Sequence, residues 1–269
     1  MVGNTHKKAL FVLLCVFLFS PVLVSAVEVI DRYEVDIDIR KDSSIKVLET
    51  IYYDFGNASK RGIFRTIPIK YTTPYGTRGV HLKVISVSKD GYSEEYTNKK
   101  SGKNRVVRIG NQDVFITGKH VYRITYEVSG AFNNFDEFDE LYWNAIGSDW
   151  DVPITEAEVR VETLGEIRQA KCYEGYFGAT IECKESDVSG NAFISRSRDI
   201  GNRSGMTIAV GLAKGSVTPL STFEKLIRVA KNNIILLLPI LALLIMFRLW
   251  SEHGKDAKGR GTIVAQYEP

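Results

Sequence analysis

Three cations crowd an apolar pair in Lys60-Arg61-Gly62-Ile63-Phe64-Arg65, and carboxylates and aromatic residues alternate over residues 136–151. Arginine forks match the oxygens of carboxylates and phosphates, which makes Arg61 and Arg65 candidates for holding an anionic ligand or a lipid headgroup. The commoner use of such charges is pairing with the domain's own carboxylates, with Ile63, Phe64 and Ile67 packed beneath. In the acidic run, Asp136, Asp139, Asp149 and Asp151 supply the hard oxygens that calcium takes. The order of a calcium loop, D-x-D-x-D-G, is absent and no ligand spacing is diagnostic, so no metal and no cofactor is assigned. Tyr142, Trp143 and Trp150 in the same run are candidates for stacking on sugar rings. Flanked by apolar neighbours, they equally suit a buried strand, with the acids on a solvated loop or paired to Arg61 and Arg65.

Hydrolytic chemistry finds less support. His81 and His120 stand in or beside strands, remote from any G-x-S-x-G or H-E-x-x-H, while His6 and His253 lie near the two ends of the chain. Two carboxylates alone make a glycosidase when ~5–9 Å apart, a separation that one sequence does not encode. The expectation is therefore a protein that is not an enzyme. Cys172 and Cys183 lie in KCYEGYFGATIEC, where Gly175 and Gly178 permit a reversal that brings the Cα atoms within the ~5.5–6 Å a disulfide needs. A CxxC spacing and further ligands are missing, so a structural bridge is expected ahead of redox or metal chemistry.

Two apolar runs bracket the chain. The first, residues 9–24 behind Lys7 and Lys8, ends in Val24-Ser25-Ala26 and reads as a removable export leader over residues 1–26. The second, residues 234–247, is lengthened by its flanks, with Lys231 and Arg248 able to reach headgroups and Trp250 suited to the interface. It reads as one C-terminal transmembrane helix, with its lead-in at residues 223–250 and a bilayer contact over 233–250. Thr222 is the expected helix cap. Residues 214–222 read as a linker and 251–269 as a short cytoplasmic tail. With the leader removed, residues 27–213 would lie outside the cytoplasm. A chain that is 25% charged and 44% hydrophobic, with a net charge of +3, has the composition of an ordinary globular protein and excludes a polyanion binder, so nucleic acid is not an expected partner.

Between the runs the pattern has period two. Tyr33, Val35, Ile37 and Ile39 point one way, and Ile45, Val47, Ile51, Tyr53 and Phe55 resume it after a polar turn. Further alternation marks strands near Val80, Val107, Val114 and Ile116, Tyr122, Val159, Ala170, Thr180, Ala192 and Met206. Turn signals such as Lys89-Asp90-Gly91, Lys100-Ser101-Gly102 and Ser189-Gly190 separate several of them. The expected fold is an all-β antiparallel β-sandwich or open barrel.

The segments RYEVDIDIRKDSSIKVLETIYYDF, SKRGIFRTIPIKY, ELYWNAIGSDWDVPI and KCYEGYFGATIEC, in that order, resemble the extracytoplasmic domain of the YciQ-like predicted membrane proteins, a family defined by a domain of unknown function. The resemblance implies an exported domain followed by a membrane span, and in family members a continuation into a cytoplasmic region with further hydrophobic segments, beyond the point where this sequence stops. It supplies no catalytic residues. The expected role is membrane-anchored binding or assembly with a protein, lipid or envelope-polymer partner; a portion of a larger transport or signalling protein and a metal-dependent or carbohydrate-active envelope enzyme are the other two readings.

Overall fold

The computed structural model describes residues 27–73, 76–219, 221, 223–224, 227, 237–254 and 267. The expected leader, and the greater part of the helix lead-in and of the tail, lie outside the described residues. Two compact units divide at Pro219.

Alternation sets the first unit. In β1 (Val29–Ile39) and β2 (Ser44–Asp54), Tyr33, Val35, Ile37, Ile39, Ile45, Val47 and Ile51 all turn to one buried face. Their antiparallel register runs from Ile39↔Ile45 to Val29↔Asp54. The turn between them holds Ser43 at a positive φ, and Asp42 accepts hydrogen bonds from the amide and hydroxyl of Ser44. The chain continues through β3 (Ile63–Pro68), β4 (Lys70–Thr73), β5 (Gly76–Gly79), β6 (His81–Lys89), β7 (Tyr92–Ser93), β8 (Tyr96–Ser101) and β9 (Asn104–Ile109). Next come β10 (Lys119–Ser129), β11 (Phe132–Asn134), β12 (Phe138–Ile146), β13 (Ile154–Thr163) and β14 (Ile167–Gly175). The last four are β15 (Ile181–Glu182), β16 (Glu185–Ser189), β17 (Ala192–Ile200) and β18 (Gly205–Ala213).

These strands form open sheets, not a closed barrel. An eight-stranded sheet runs β16-β17-β13-β1-β2-β10-β6-β7, a five-stranded sheet runs β11-β12-β18-β14-β15, and β3-β9-β8 and β4-β5 complete the body. One buried cluster joins the large sheets: Tyr33, Tyr126 and Ile124 from one side meet Trp143, Leu141 and Ile208 from the other. Each such fully buried apolar side chain stabilises by roughly 1.5–3 kcal/mol. The opposite face of the eight-stranded sheet is wet and laced with ion pairs, Arg32 with Glu34 and Arg196 with Glu158 among them.

The expectation of an antiparallel fold fails at one place. β1 and β13 pair in parallel, from Ile30↔Ile154 to Ile39↔Thr163, so the large sheet is mixed. Because β1 is solvated on one face, it keeps the alternating pattern of an antiparallel strand, and the sequence carries no sign of the parallel neighbour. The strand expected around Val114 and Ile116 is also absent; only an isolated bridge between Lys60 and Ile116 forms there. Within the stretch expected as a linker, Val217 is buried against the body and the Thr218 amide donates to the Lys41 carbonyl at 2.7 Å.

A buried ion pair spans the layers. β3 inserts Arg65, 1% exposed, between Ile63 and Ile67. Its Nε and Nη2 donate to the two carboxylate oxygens of Glu49 on β2 at 2.7 and 2.8 Å. Its remaining bonds go to the carbonyls of Thr66 at 2.7 Å and of Ala145, on β12, at 3.1 Å. Tyr33 and Tyr126 complete the carboxylate with hydroxyl bonds of 2.7 and 2.6 Å. Burial pushes both tyrosines well above their ordinary range, so they remain donors. Burial works against the charge on Arg65, but Glu49, with Tyr33 and Tyr126 beside it, outweighs it and holds the guanidinium above its ordinary value. Gly147 makes room: a Cβ there would lie 2.5 Å from Arg65 Nη1.

In the second unit, Ser221 and Glu224 form a reciprocal capping box: the Ser221 amide and hydroxyl reach the Glu224 carboxylate at 2.9 and 2.8 Å, and the Glu224 amide reaches the Ser221 hydroxyl at 3.2 Å. The cap therefore falls on Ser221, whereas Thr222, expected to cap, lies outside the described residues. Helix α1 (Leu237–His253) has 17 residues and exposes Leu238, Leu241, Leu244 and Phe247. Among the described residues no helix is long and apolar enough to cross a membrane.

Three outcomes follow from this packing. Gly147→Ala should cost ~1–3 kcal/mol in urea unfolding, since Arg65 is fixed by four bonds and has nowhere to move. Gly201→Ala, which meets nothing within 4 Å, should stay within ~0.5 kcal/mol of the parent. Replacing Cys172 and Cys183, bonded to each other with Cα atoms 5.3 Å apart, by serine should lower stability by ~2–3 kcal/mol in the same measurement.

Candidate functional site

The three clustered cations part company in the fold. Lys60 pairs with Glu28 at 2.9 Å, Arg61 lies over the ring of Phe115 at 4.1 Å, and Arg65 turns into the core. A close backbone approach imposes the separation of Arg61 from its neighbours. At Gly62 (φ 128°) a Cβ would fall 1.9 Å from the Ile109 carbonyl oxygen, and at Gly110 (φ 123°) one would fall 2.0 Å from that of Arg61. Only glycine fits where two strands touch so closely. Arg65 is thus withdrawn from any external anion, and its carboxylate partner is Glu49 and none of the acids of residues 136–151.

Those acids are divided between the two ends of β12, a strand about 30 Å long. At one end Asp136 is exposed, while Asp139, 1% exposed, accepts from Lys214 Nζ at 2.9 Å and from the Gly215 amide at 3.0 Å. Lys214 also donates to the Phe135 carbonyl at 2.6 Å. At the other end Asp149 and Asp151 are exposed, and Asp151 pairs with Arg203 at 2.5 Å. Among the described residues no three His, Cys, Asp or Glu side chains are grouped to hold a metal ion.

The aromatic residues of the same stretch follow the strand's parity. Tyr142 faces outward and is partly exposed, and burial of its ring raises its hydroxyl above the ordinary range. Trp143 points inward, 6.5 Å from Tyr126 and 6.4 Å from Tyr71 between ring centroids. Trp150 is buried with an edge-on contact to Tyr33 at 5.8 Å. With both indoles inside, these three residues present no common flat face to a sugar.

His120 Nδ1 lies 2.7 Å from Asp90. Partial burial works against the Asp90 charge, but His120 and the Val121 amide outweigh it and hold the carboxyl below its ordinary value. Asp90 sits at a positive φ in the β6–β7 turn, so the pair reads as a turn lock. A shallow cleft of 220 Å³ on the wet face of the large sheet is lined by Arg32, Glu156, Glu158, Lys184, Arg196 and Arg198. Its arginines already face its carboxylates, Arg32 with Glu156 and Arg196 with Glu158.

Two features escaped the reading of the sequence. Glu49 sits at an inward position of β2 between Val47 and Ile51, a parity at which a carboxylate demands a buried partner. The second is the exposed apolar tip of the β14–β15 hairpin. Cys172 and Cys183 cross-link its neck, Tyr173 pairs with Glu182 and Glu174 with Ile181 in register, and the Ala179 amide closes the tip on the Tyr176 carbonyl at 2.9 Å. On that tip Tyr176, Phe177 and Ile181 are 70%, 89% and 66% exposed. Two aromatic residues between glycines, inside a short cysteine ring, were the available signal.

Comparison with solved structures finds distant likenesses. Yeast leukotriene A4 hydrolase in complex with bestatin aligns at 12% identity and a TM-score of 0.44, over 74% of this chain and 32% of the hydrolase. An M1 zinc metallopeptidase from Deinococcus radiodurans aligns at 8% identity and a TM-score of 0.39, over 68% of this chain and 42% of the peptidase. The chain thus spans less than half the length of either, and likeness at this level carries nothing about activity. None of the curated proteins matches. Residues 29–212 match the family described as the N-terminal domain of a predicted membrane protein, DUF2207. That match takes in every strand of the body but for the last residue of β18, and the chain belongs to this family of predicted membrane proteins.

Proposed function

We propose that this domain is a binding or assembly module, held on the outer side of a membrane and not itself an enzyme, that engages a protein, lipid or envelope-polymer component through its stapled hairpin tip. The tip carries the reading. Leaving Phe177 and Tyr176 in water on a cross-linked turn forgoes the stabilisation that burial brings, whereas a rigid aromatic anchor lowers the ordering cost of binding. Residues 175–181 bear no charge, so the complementary surface is an apolar pocket. The disulfide favours an oxidising compartment.

Membership of a membrane-protein family supports anchoring, and so does α1. Its 17 residues rise about 25 Å. Ile234, Ile235 and Leu236 precede it in sequence, extending the apolar run toward the ~30 Å of a hydrocarbon core. The family's description as an N-terminal domain favours a second reading, in which the same tip serves a larger transport or signalling membrane protein.

A photocrosslinking residue placed at position 177 in living cells should yield a discrete adduct that disappears when Cys172 and Cys183 are replaced by serine. The same probe at Tyr92, 80% exposed on the β6–β7 hairpin, should not. Identical products from both positions, or none above background at 177, would overturn the proposal.

A further inference from the structure

The chain leaves the body at a fixed point. After β18, Ser216 bonds the Ala213 carbonyl, Val217 is buried, and Thr218 is tied to Lys41 in the β1–β2 turn. Buried Asp139 holds Lys214 and Gly215 from the β11–β12 side. On the β13–β14 side the strap lies so close that a Cβ on Gly165 would stand 2.6 Å from Ser216 Oγ. Three turns therefore surround the exit: β1–β2 of the eight-stranded sheet, β11–β12 of the five-stranded sheet, and β13–β14, which connects the two. Two of them display large apolar side chains, Leu164 at 77% exposure and Phe135 at 45%.

From this geometry we infer that the exit end of the body is a bilayer-seating surface, on which Leu164 and Phe135 enter the headgroup boundary of the membrane that holds the chain's apolar segment. The inference rests on the anchored reading above and adds which end faces lipid. The occupant follows from chain continuity: a strap fastened through Thr218 keeps these two side chains beside the one point from which the polypeptide departs toward α1. Charge does not choose a different occupant. Lys41 is exposed at this end and so are Asp136 and Glu137, so the rim carries both signs, and the contact is apolar in character and suited to zwitterionic headgroups.

The stapled tip then points away from that bilayer. β14 starts at the exit end, where Ile167 pairs with Leu212, and finishes at Gly175 opposite Gly205, so Phe177 stands roughly 25–30 Å further out. Seating fixes the reach of the binding surface as well as its orientation.

Lipid-quenching of fluorescence tests this on the full chain carrying Cys15→Ser, with one added cysteine at a time. The variants are Leu164→Cys, Phe135→Cys, Phe177→Cys and Leu243→Cys, each labelled with the same fluorophore and reconstituted in phosphatidylcholine vesicles containing headgroup-nitroxide or acyl-chain-nitroxide lipid. Labels at 164 and 135 should lose most of their emission with the headgroup nitroxide, the label at 243 most of it with the acyl-chain nitroxide, and the label at 177 almost none with either. Quenching at 243 without quenching at 164 and 135 would overturn the seating and leave the anchor standing. Quenching at 177 comparable to that at 164 would overturn the assigned polarity. No quenching at 243 would remove the anchor, and the seating with it.

Discussion

A charge placed in the middle of this fold has to be answered on every side. The idealised cost of moving one ion from water into a dry interior is of order 20 kcal/mol, against a net stability of about 5–15 kcal/mol for a typical domain. Glu49 is brought inside by the alternation of β2, and each of its oxygens accepts one bond from Arg65 and one from a tyrosine. Satisfying it dictates where β3 lies, why position 147 is glycine, and how the end of β12 approaches the large sheet, since Arg65 also holds the Ala145 carbonyl. Apolar packing draws the sheets together without direction; the ion pair gives their meeting one arrangement.

That arrangement leaves the two ends of the body different. One end gathers the strap, buried Asp139 and the turns around Lys41, Phe135 and Leu164. The other displays Arg61 stacked on Phe115, the Asp151–Arg203 pair and the cross-linked hairpin. A domain polarised in this way offers two unlike surfaces at its ends, and both proposals draw on that separation.

Legibility in the sequence followed how local each interaction is. The β1–β2 hairpin was readable because alternation and turn chemistry lie within 26 contiguous residues, and the disulfide because both cysteines share one short reversal. The parallel β1–β13 pairing was not, since it joins residues more than a hundred positions apart and leaves the alternation of β1 unchanged. β8 and β16, exposed along their whole length, have no buried face to write a pattern. For the site, Arg65 was picked out by its neighbours, but its destination depended on Glu49, sixteen residues earlier and placed on the otherwise apolar inward face of β2. The acids of residues 136–151 looked like one cluster because they are close in sequence; as an extended strand, β12 carries them apart.

The most direct test of the central claim is a double-mutant cycle on the intact chain, measuring urea unfolding for Arg65→Met, Glu49→Leu and the two together. Each single change should cost ~3–5 kcal/mol, because it strands a buried charge, and the double variant should recover much of that loss by leaving an apolar pair. Losses that simply add, or single variants as stable as the parent, would contradict the account: the sheets would then be positioned by apolar packing alone.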